Sequence, residues 1–521
     1  MKVVLLGMLL AAALTAHAQA PSFTNYIALD LPVGTEPIVA VFDTLNNRIY
    51  AVGSFGDSFS VGGLGVVSRG DQDGFVLALT DELQPLWLKQ FGGPGRDVAT
   101  CITTSNDGTV VVGGYCAANT LSLTTYTIGT VTYSGRGDAD AVVMKLDRQG
   151  NVLWSRNDGG SGADAVRGIA SDVNGGYFVT GTFTSVSRFD TVVVGLDNGL
   201  LHSYVQALQS HGNQRAVATF HSEQDVVASS ITGSNIFSEQ DAVVLPVLYS
   251  GSVQIGEYRL HRTPSSARPQ TFVGLDPLSL EVRFVDSVIV CTDEESTWYG
   301  SHNGAYVTHP DLCATNETYA TLVTAATAPY RFVNGAVELH AASFYTSPVL
   351  VGEFSGALEL LSQARTDTLR CENQQRDGLV FIVSTNGAVT AIPLGASVQG
   401  MVSNVNATSQ GIVVCGRAEG AIAAFANTTA LDWDDQFIGF ERSPLSSISQ
   451  VEPPDLSMFS ADQLFGVTDL SGRAVSERRM GIEEIRDLPS GCYLLDWEQG
   501  LSLCYVGSHS IAFPVSAVTA R

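Results

Sequence analysis

The densest run of chemically capable side chains is Asp293-Glu294-Glu295-Ser296-Thr297-Trp298-Tyr299-Gly300-Ser301-His302, which continues through His309 to Cys313. Trp298 and Tyr299 offer large aromatic area at low ordering cost, so they could stack on a sugar ring or meet a protein partner. Asp293, Glu295 and His302 would supply the polar contacts of such a binding site. Asp293 and Glu295 could instead serve as the acid and base of a glycosidase or lyase. Packing of the two rings against the scaffold is the plainer role. Nothing in the chain has the context of a nucleophile elbow, a His-Glu zinc helix or a phosphate loop.

No cofactor and no metal follow from the remaining residues. Asp71-Gln72-Asp73-Gly74 begins like a calcium loop but lacks the later ligands and the terminal Glu. The eight cysteines are an even count that suits an oxidising compartment. Zinc would want close Cys/His pairs, and these are spread wide. Cys101 with Cys116, Cys291 with Cys313, Cys371 with Cys415 and Cys492 with Cys504 are disulfide candidates by their places around predicted turns and loops.

The formal charge of −25, with Lys2, Lys89 and Lys145 the only lysines, argues against a nucleic-acid partner, which needs basic clusters. Residues 1–20 read as a signal peptide: a basic start, an apolar run from Val3 to Leu14 and small residues before a cleavage point. No later apolar run is long enough for a transmembrane helix. The chain is therefore expected to be secreted or held on the outer cell surface.

The elements that must position these residues are short strands. Val98 to Thr103 and Thr109 to Tyr115 flank an Asn106-Asp107-Gly108 turn; Asp140 to Leu146 and Asn151 to Arg156 follow. Four such strands make a sheet that is marginal alone and gains from stacking on copies of itself. Second-strand copies fall at Ile49 to Gly53, Val110 to Gly114, Tyr177 to Gly181, Val226 to Gly233, Val288 to Cys291, Val349 to Gly352 and Ile412 to Gly416. Third-strand copies fall at Gly74 to Leu79, Ala141 to Leu146, Thr191 to Leu196, Ala242 to Val247, Tyr319 to Val323, Gly378 to Val383 and Ala421 to Phe425. The fold class expected is all-β: a seven-bladed β-propeller of four-stranded antiparallel blades over residues 21–440. Asn25 to Asp30 is expected to complete the last blade, with Thr429 to Phe437 the rival outermost strand. The long loops Ser54 to Gln72, Ala117 to Asp138 and Ser355 to Arg376 would share the face of the Trp298 loop.

Asp73, Asp140, Asp241 and Asp377 recur at one position and Asp97 with Asp164 at another, which marks them as turn partners and not catalysts. Arg69-Gly70-Asp71 and Arg136-Gly137-Asp138 spell an integrin-ligand tripeptide, read here as loop residues.

Gly92-Gly93, Arg96-Asp97, Asp107-Gly108, Asp140, Lys145-Leu146-Asp147, Gly150-Asn151 and Trp154 resemble the bacterial β-propeller repeat of exported proteins, over Ile38 to Leu196. Residues 441–460 read as a linker. Residues 461–521, through Leu464 to Val475 and the Leu488-Pro489-Ser490-Gly491-Cys492-Tyr493 segment, resemble the C-terminal sorting domain of the type IX secretion system. That resemblance implies a small β-sandwich and passage through that secretion machinery. The function expected is a non-catalytic binding or adhesion module for a glycan or protein ligand. The alternatives are a polysaccharide-active enzyme and a structural cell-surface component.

Overall fold

The computed structural model describes residues 25–31, 35–118, 125–172, 175–195 and 200–222 in full. From there to residue 442 it describes chiefly the strands, with the turns 276–281 and most of 394–420. Beyond that it describes 464–469, 480–481, 491–497, 500–506 and 511–512. The segment read as a signal peptide and most of the one read as a linker lie outside the described residues.

Every regular element among the described residues is a strand, and the pairings between named strands are antiparallel. The first sheet is Val39–Asp43, Arg48–Phe55, Asp73–Thr80 and Pro85–Phe91; the second is Asp97–Thr104, Val110–Ala117, Ala139–Leu146 and Val152–Gly160. Ala165–Ser171, Tyr177–Thr184, Leu201–Leu208 and Gln214–Ser222 form the third. Further sheets comprise Phe237–Glu239 to Val282–Cys291, Ser301–His302 to Tyr330–Val333, and Gly335–Phe344 to Val389–Pro393. The last contains Gln399–Ala407, Gly411–Glu419 and Gln436–Arg442.

That last sheet is completed by the start of the chain. Asn25–Leu29 pairs along Gln436–Arg442, with Asn25 opposite Phe440 and Leu29 opposite Gln436. The rival placement is therefore corrected: the third strand begins at Gln436, and Asn25–Leu29 lies outside it. The seam is also tied at the inner edge of the first sheet. The backbone N–H groups of Ile38 and Phe42 donate to the side-chain carbonyls of Gln436 (2.8 Å) and Asn406 (2.9 Å). An edge that would otherwise expose unpaired backbone is thus covered.

Apolar clusters lie between successive sheets. One joins Phe42, Phe55 and Phe75 of the first sheet to Val413, Ile438 and Phe440 of the last, with Leu29 and Leu31. Others join first to second and second to third. A strand sandwiched on both faces reads as a continuous apolar run, which is why Arg48–Phe55 is buried from Ile49 to Phe55. Sheets stacked face to face around a circuit, with the first strand finishing the last sheet, are the arrangement of a β-propeller.

The run of apolar residues also misleads. The third strand of the third sheet is Leu201–Leu208, not Thr191 to Leu196, because Val192 and Val193 are exposed on a hairpin. Ala242–Val247 is a second strand, Val288 to Cys291 ends a fourth strand, and the third strand of the last sheet is Gln436–Arg442 in place of Ala421 to Phe425. Val226 to Gly233 lies outside the described residues.

The glycines that recur within the second strands have a steric cause. Gly114, Gly181 and Gly416 lie beside β-bulges in their neighbouring strands, after Ala99, Val166 and Val402. A β-carbon on them would come 2.0 Å from the Val98 carbonyl oxygen, 2.1 Å from that of Ala165 and 2.1 Å from that of Met401.

At the C-terminal end, the described strands form one five-stranded sheet in the order Met480–Gly481, Leu464–Asp469, Gly491–Trp497, Gly500–Val506, Ile511–Ala512.

Candidate functional site

The expected long loops Ser54 to Gln72, Ala117 to Asp138 and Ser355 to Arg376 carry hairpins, and so do two further segments. Ser58–Val61 pairs with Leu64–Val67, Thr125–Ile128 with Val131–Ser134, Ser187–Phe189 with Val192–Val194, and Ser252–Ile255 with Tyr258–His261. Pro348–Leu361 runs on past its sheet to pair with Thr366–Arg370. In the first four the leading strand turns apolar side chains inward: Phe59, Tyr126, Phe189 and Val253 are all buried. Three of these strands join the outer strand of the preceding sheet. Thr127 exchanges backbone hydrogen bonds with Gly92, Ser187 pairs with Gly160, and Gln254 pairs with His221. Phe59 and Val61 pack with Leu29 and Leu31, the start of the chain that completes the preceding sheet. The first four segments are clasps between blades, and each of the five hairpins connects the second strand of its sheet to the third.

Beneath the clasps sit the recurring aspartates. Asp73 accepts from the Arg69 N–H (3.1 Å), the Ser68 hydroxyl (3.2 Å) and the Gln90 amide (2.8 Å); Asp140 accepts from the Arg136 N–H (2.9 Å) and the Tyr126 hydroxyl (3.3 Å). Asp97 accepts from the Gly93 N–H (2.6 Å) and Asp164 from the Gly160 N–H (2.8 Å) and the Ser187 hydroxyl (2.5 Å). Asp377 does the same with Gly395 and Ala396. Asp241 lies outside the described residues. Both Arg-Gly-Asp segments belong to these turns: a β-carbon on Gly70 would meet Pro94 at 2.3 Å and one on Gly137 the Gly160 carbonyl at 2.4 Å.

Burial raises the pKa of each of these carboxyls. Asp97, with the Asp73 charge adding to its burial, is pushed up to about 7, and Asp164, with Asp140 beside it, to about 6. A carboxyl whose folded pKa exceeds its unfolded value near 4 stabilises the fold while protonated and loses that stabilisation as pH rises through the folded value. Burial lowers the pKa of His202 and His221 below 6.5, which acts in the opposite sense as pH falls past 6.5. The thermal midpoint is therefore expected to rise by a few degrees from pH 8 to pH 6.5 and then level off. Scanning calorimetry of the unsubstituted chain and of Asp97→Asn, which should lose much of the slope, checks this.

Other parts of the repeat signature act across blades. The indole N–H of Trp87 donates to the Arg148 carbonyl (2.9 Å), and that of Trp154 to the Ser210 carbonyl (3.1 Å). Within the second blade, Lys145 Nζ reaches Asp107 at 2.8 Å.

The predicted binding residues Asp293, Glu295, Trp298 and Tyr299 lie outside the described residues; His302 ends a two-residue strand paired with Ala305. Cys313 also lies outside them, and Cys291 pairs in register with Ala267. Two disulfide expectations are corrected. The bulge at Ala99 sets Cys101 opposite Gly113 and Cys116 opposite Asp97, so both are buried free thiols, that of Cys101 pushed up to about 12 by burial. Cys415 is likewise a free thiol, so no Cys371–Cys415 bridge forms. Cys492 and Cys504 are offset in register, the first opposite Tyr505 and the second opposite Tyr493.

One pair escaped sequence reading. His202 and His221 place their rings 5.0 Å apart, beside Phe183. The missed third strand, Leu201–Leu208, is what brings them together. Among the described residues no three His, Cys, Asp or Glu side chains converge to hold a metal ion. No helix among the described residues is long and apolar enough to cross a membrane.

Repeated antiparallel sheets, inter-blade clasps and a chain start that completes the last sheet define a β-propeller repeat protein. No family model matches the chain. Over 130 residues it is 24% identical to an uncharacterized WD repeat-containing protein of Acanthamoeba polyphaga mimivirus; the match takes in 23% of this chain and 9% of that relative's length. Among solved structures it is similar to BamB from Moraxella catarrhalis at 10% identity, over 81% of this chain and 99% of that one, with a TM-score of 0.24.

Proposed function

We propose that the protein is an exported, non-catalytic propeller that binds a glycan or protein ligand, or mediates adhesion, at the cell surface or in the medium. In this reading the ring has seven blades, the first 20 residues are removed on export, and the C-terminal segment is a sorting sandwich that engages the type IX secretion machinery. One observation supports the binding reading over the enzymatic one. The aspartates that recur across the blades are spent on backbone and hydroxyl donors at blade junctions, where they hold the scaffold together. The aromatic and acidic residues of the Asp293 to His302 segment are the ones whose types suit a binding role.

A glycan array probed with the mature chain and with Trp298→Ala and Tyr299→Ala tests the proposal. Specific binding reduced at least about tenfold by either substitution is expected, as for an aromatic hot spot. Binding indifferent to both changes removes this segment from the site, and turnover of a bound glycan replaces the binding reading with the enzymatic one.

A further inference from the structure

The first and second blade junctions are built on the same frame with opposite fillings. Register makes Lys89 the counterpart of Arg156, Phe91 of Asp158, Met144 of Gln206 and Val152 of Gln214. At the junction of the second and third sheets the polar set satisfies itself. Arg156 makes a two-pronged ion pair with Asp158 (2.7 and 2.9 Å) and donates to the Gly212 carbonyl (2.6 Å); Gln206 donates to Asp158 (3.3 Å) and Gln214 (2.6 Å). Nothing there is left to recruit a guest.

At the junction of the first and second sheets the same four positions enclose a cavity of about 310 Å³. Its walls include Phe91, Met144 and Val152, and its ionisable lining group is Lys89, which is exposed at the mouth. Gln90 and Asn151, the other polar side chains of the wall besides Thr130, are committed to Asp73 and Asp147. Among the described residues no carboxylate pairs with Lys89. A recess of mixed apolar and polar lining whose ionisable lining group is a cation selects locally for a negative guest. The volume lies at the small end of ligand sites, enough for a molecule of about ten non-hydrogen atoms.

We infer that this junction is a binding site for a small amphiphilic anion, its carboxylate at Lys89 and its apolar body against Phe91, Met144 and Val152. The site is separate from the Asp293 to His302 segment, and either can fail without the other.

Octanoate is the probe and 1-octanol its uncharged control. Calorimetric titration of the full chain is expected to give a dissociation constant below about 1 mM for octanoate. Lys89→Met, an exposed change that keeps the stem, is expected to weaken octanoate at least about tenfold and to leave octanol unchanged. Because the chain has only three lysines, amine acetylation followed by peptide mass spectrometry gives a second readout on the unsubstituted protein. Octanoate should slow labelling of Lys89 and leave that of Lys145, which is buried and paired with Asp107, unchanged. Absence of saturable octanoate binding up to about 10 mM, or equal binding by Lys89→Met, overturns the inference.

Discussion

Replacing Leu29 by aspartate is expected to unfasten the ring, lowering stability by at least about 4 kcal/mol in urea unfolding. Leu29 is 1% exposed and packs in the cluster that joins the first and last sheets. Truncating such a leucine costs about 2–5 kcal/mol on its own, and an unpaired carboxylate in its place adds a desolvation penalty. The backbone beside it has more at stake. If the first strand peels away, Gln436–Arg442 becomes an open edge, available to other chains. Aggregation on expression should therefore accompany the loss of stability. Leu29→Ala, which removes area without adding charge, should cost about 2–4 kcal/mol and should not promote aggregation.

Gly114→Ala and Gly416→Ala are expected to be nearly as damaging, at about 3 kcal/mol each by the same measurement. The new methyl group would meet a backbone carbonyl oxygen at 2.0 or 2.1 Å, in strands held on both sides and buried between sheets. Neither partner is a flexible side chain that could give way. Gly65→Ala supplies the control: its β-carbon would find nothing closer than 3.9 Å, so the change should fall within about 0.5 kcal/mol of neutral. Equal effects at Gly65 and Gly114 would mean that chain entropy, and not the bulge, decides.

Much of this frame was legible because it repeats. The turns at Asp107-Gly108 and Gly150-Asn151, the Val-rich second strands and the half-buried Trp87 and Trp154 return at an irregular period of roughly 50 to 70 residues, and each has a local geometric cause. The recurring aspartates were readable as turn partners for the same reason. What failed to read was whatever depends on a neighbour. Thr191 to Leu196 has the composition of a buried strand, but its valines face outward on a hairpin docked to the preceding sheet. Cys101 and Cys116 sit symmetrically about a turn in the sequence, and a single bulged residue moves them out of register. The inter-blade cavity was invisible for a similar reason: Lys89 and Arg156 look alike until Phe91 and Asp158 are set beside them. The clasps leave a faint signal, the alternation Ser58-Phe59-Ser60-Val61 and Thr125-Tyr126-Thr127-Ile128, too short to stand out from a polar loop.

The propeller's two distant ends are joined through Asn25–Leu29 and Gln436–Arg442. Native-state hydrogen exchange read on peptides covering these two strands tests that joint most directly, in the unsubstituted chain and in Leu29→Asp. Slow exchange of both strands with one common opening free energy, abolished in both by the substitution, is the predicted result. Rapid exchange of residues 25–29 while residues 436–442 stay protected would show that the first strand contributes nothing to the circle.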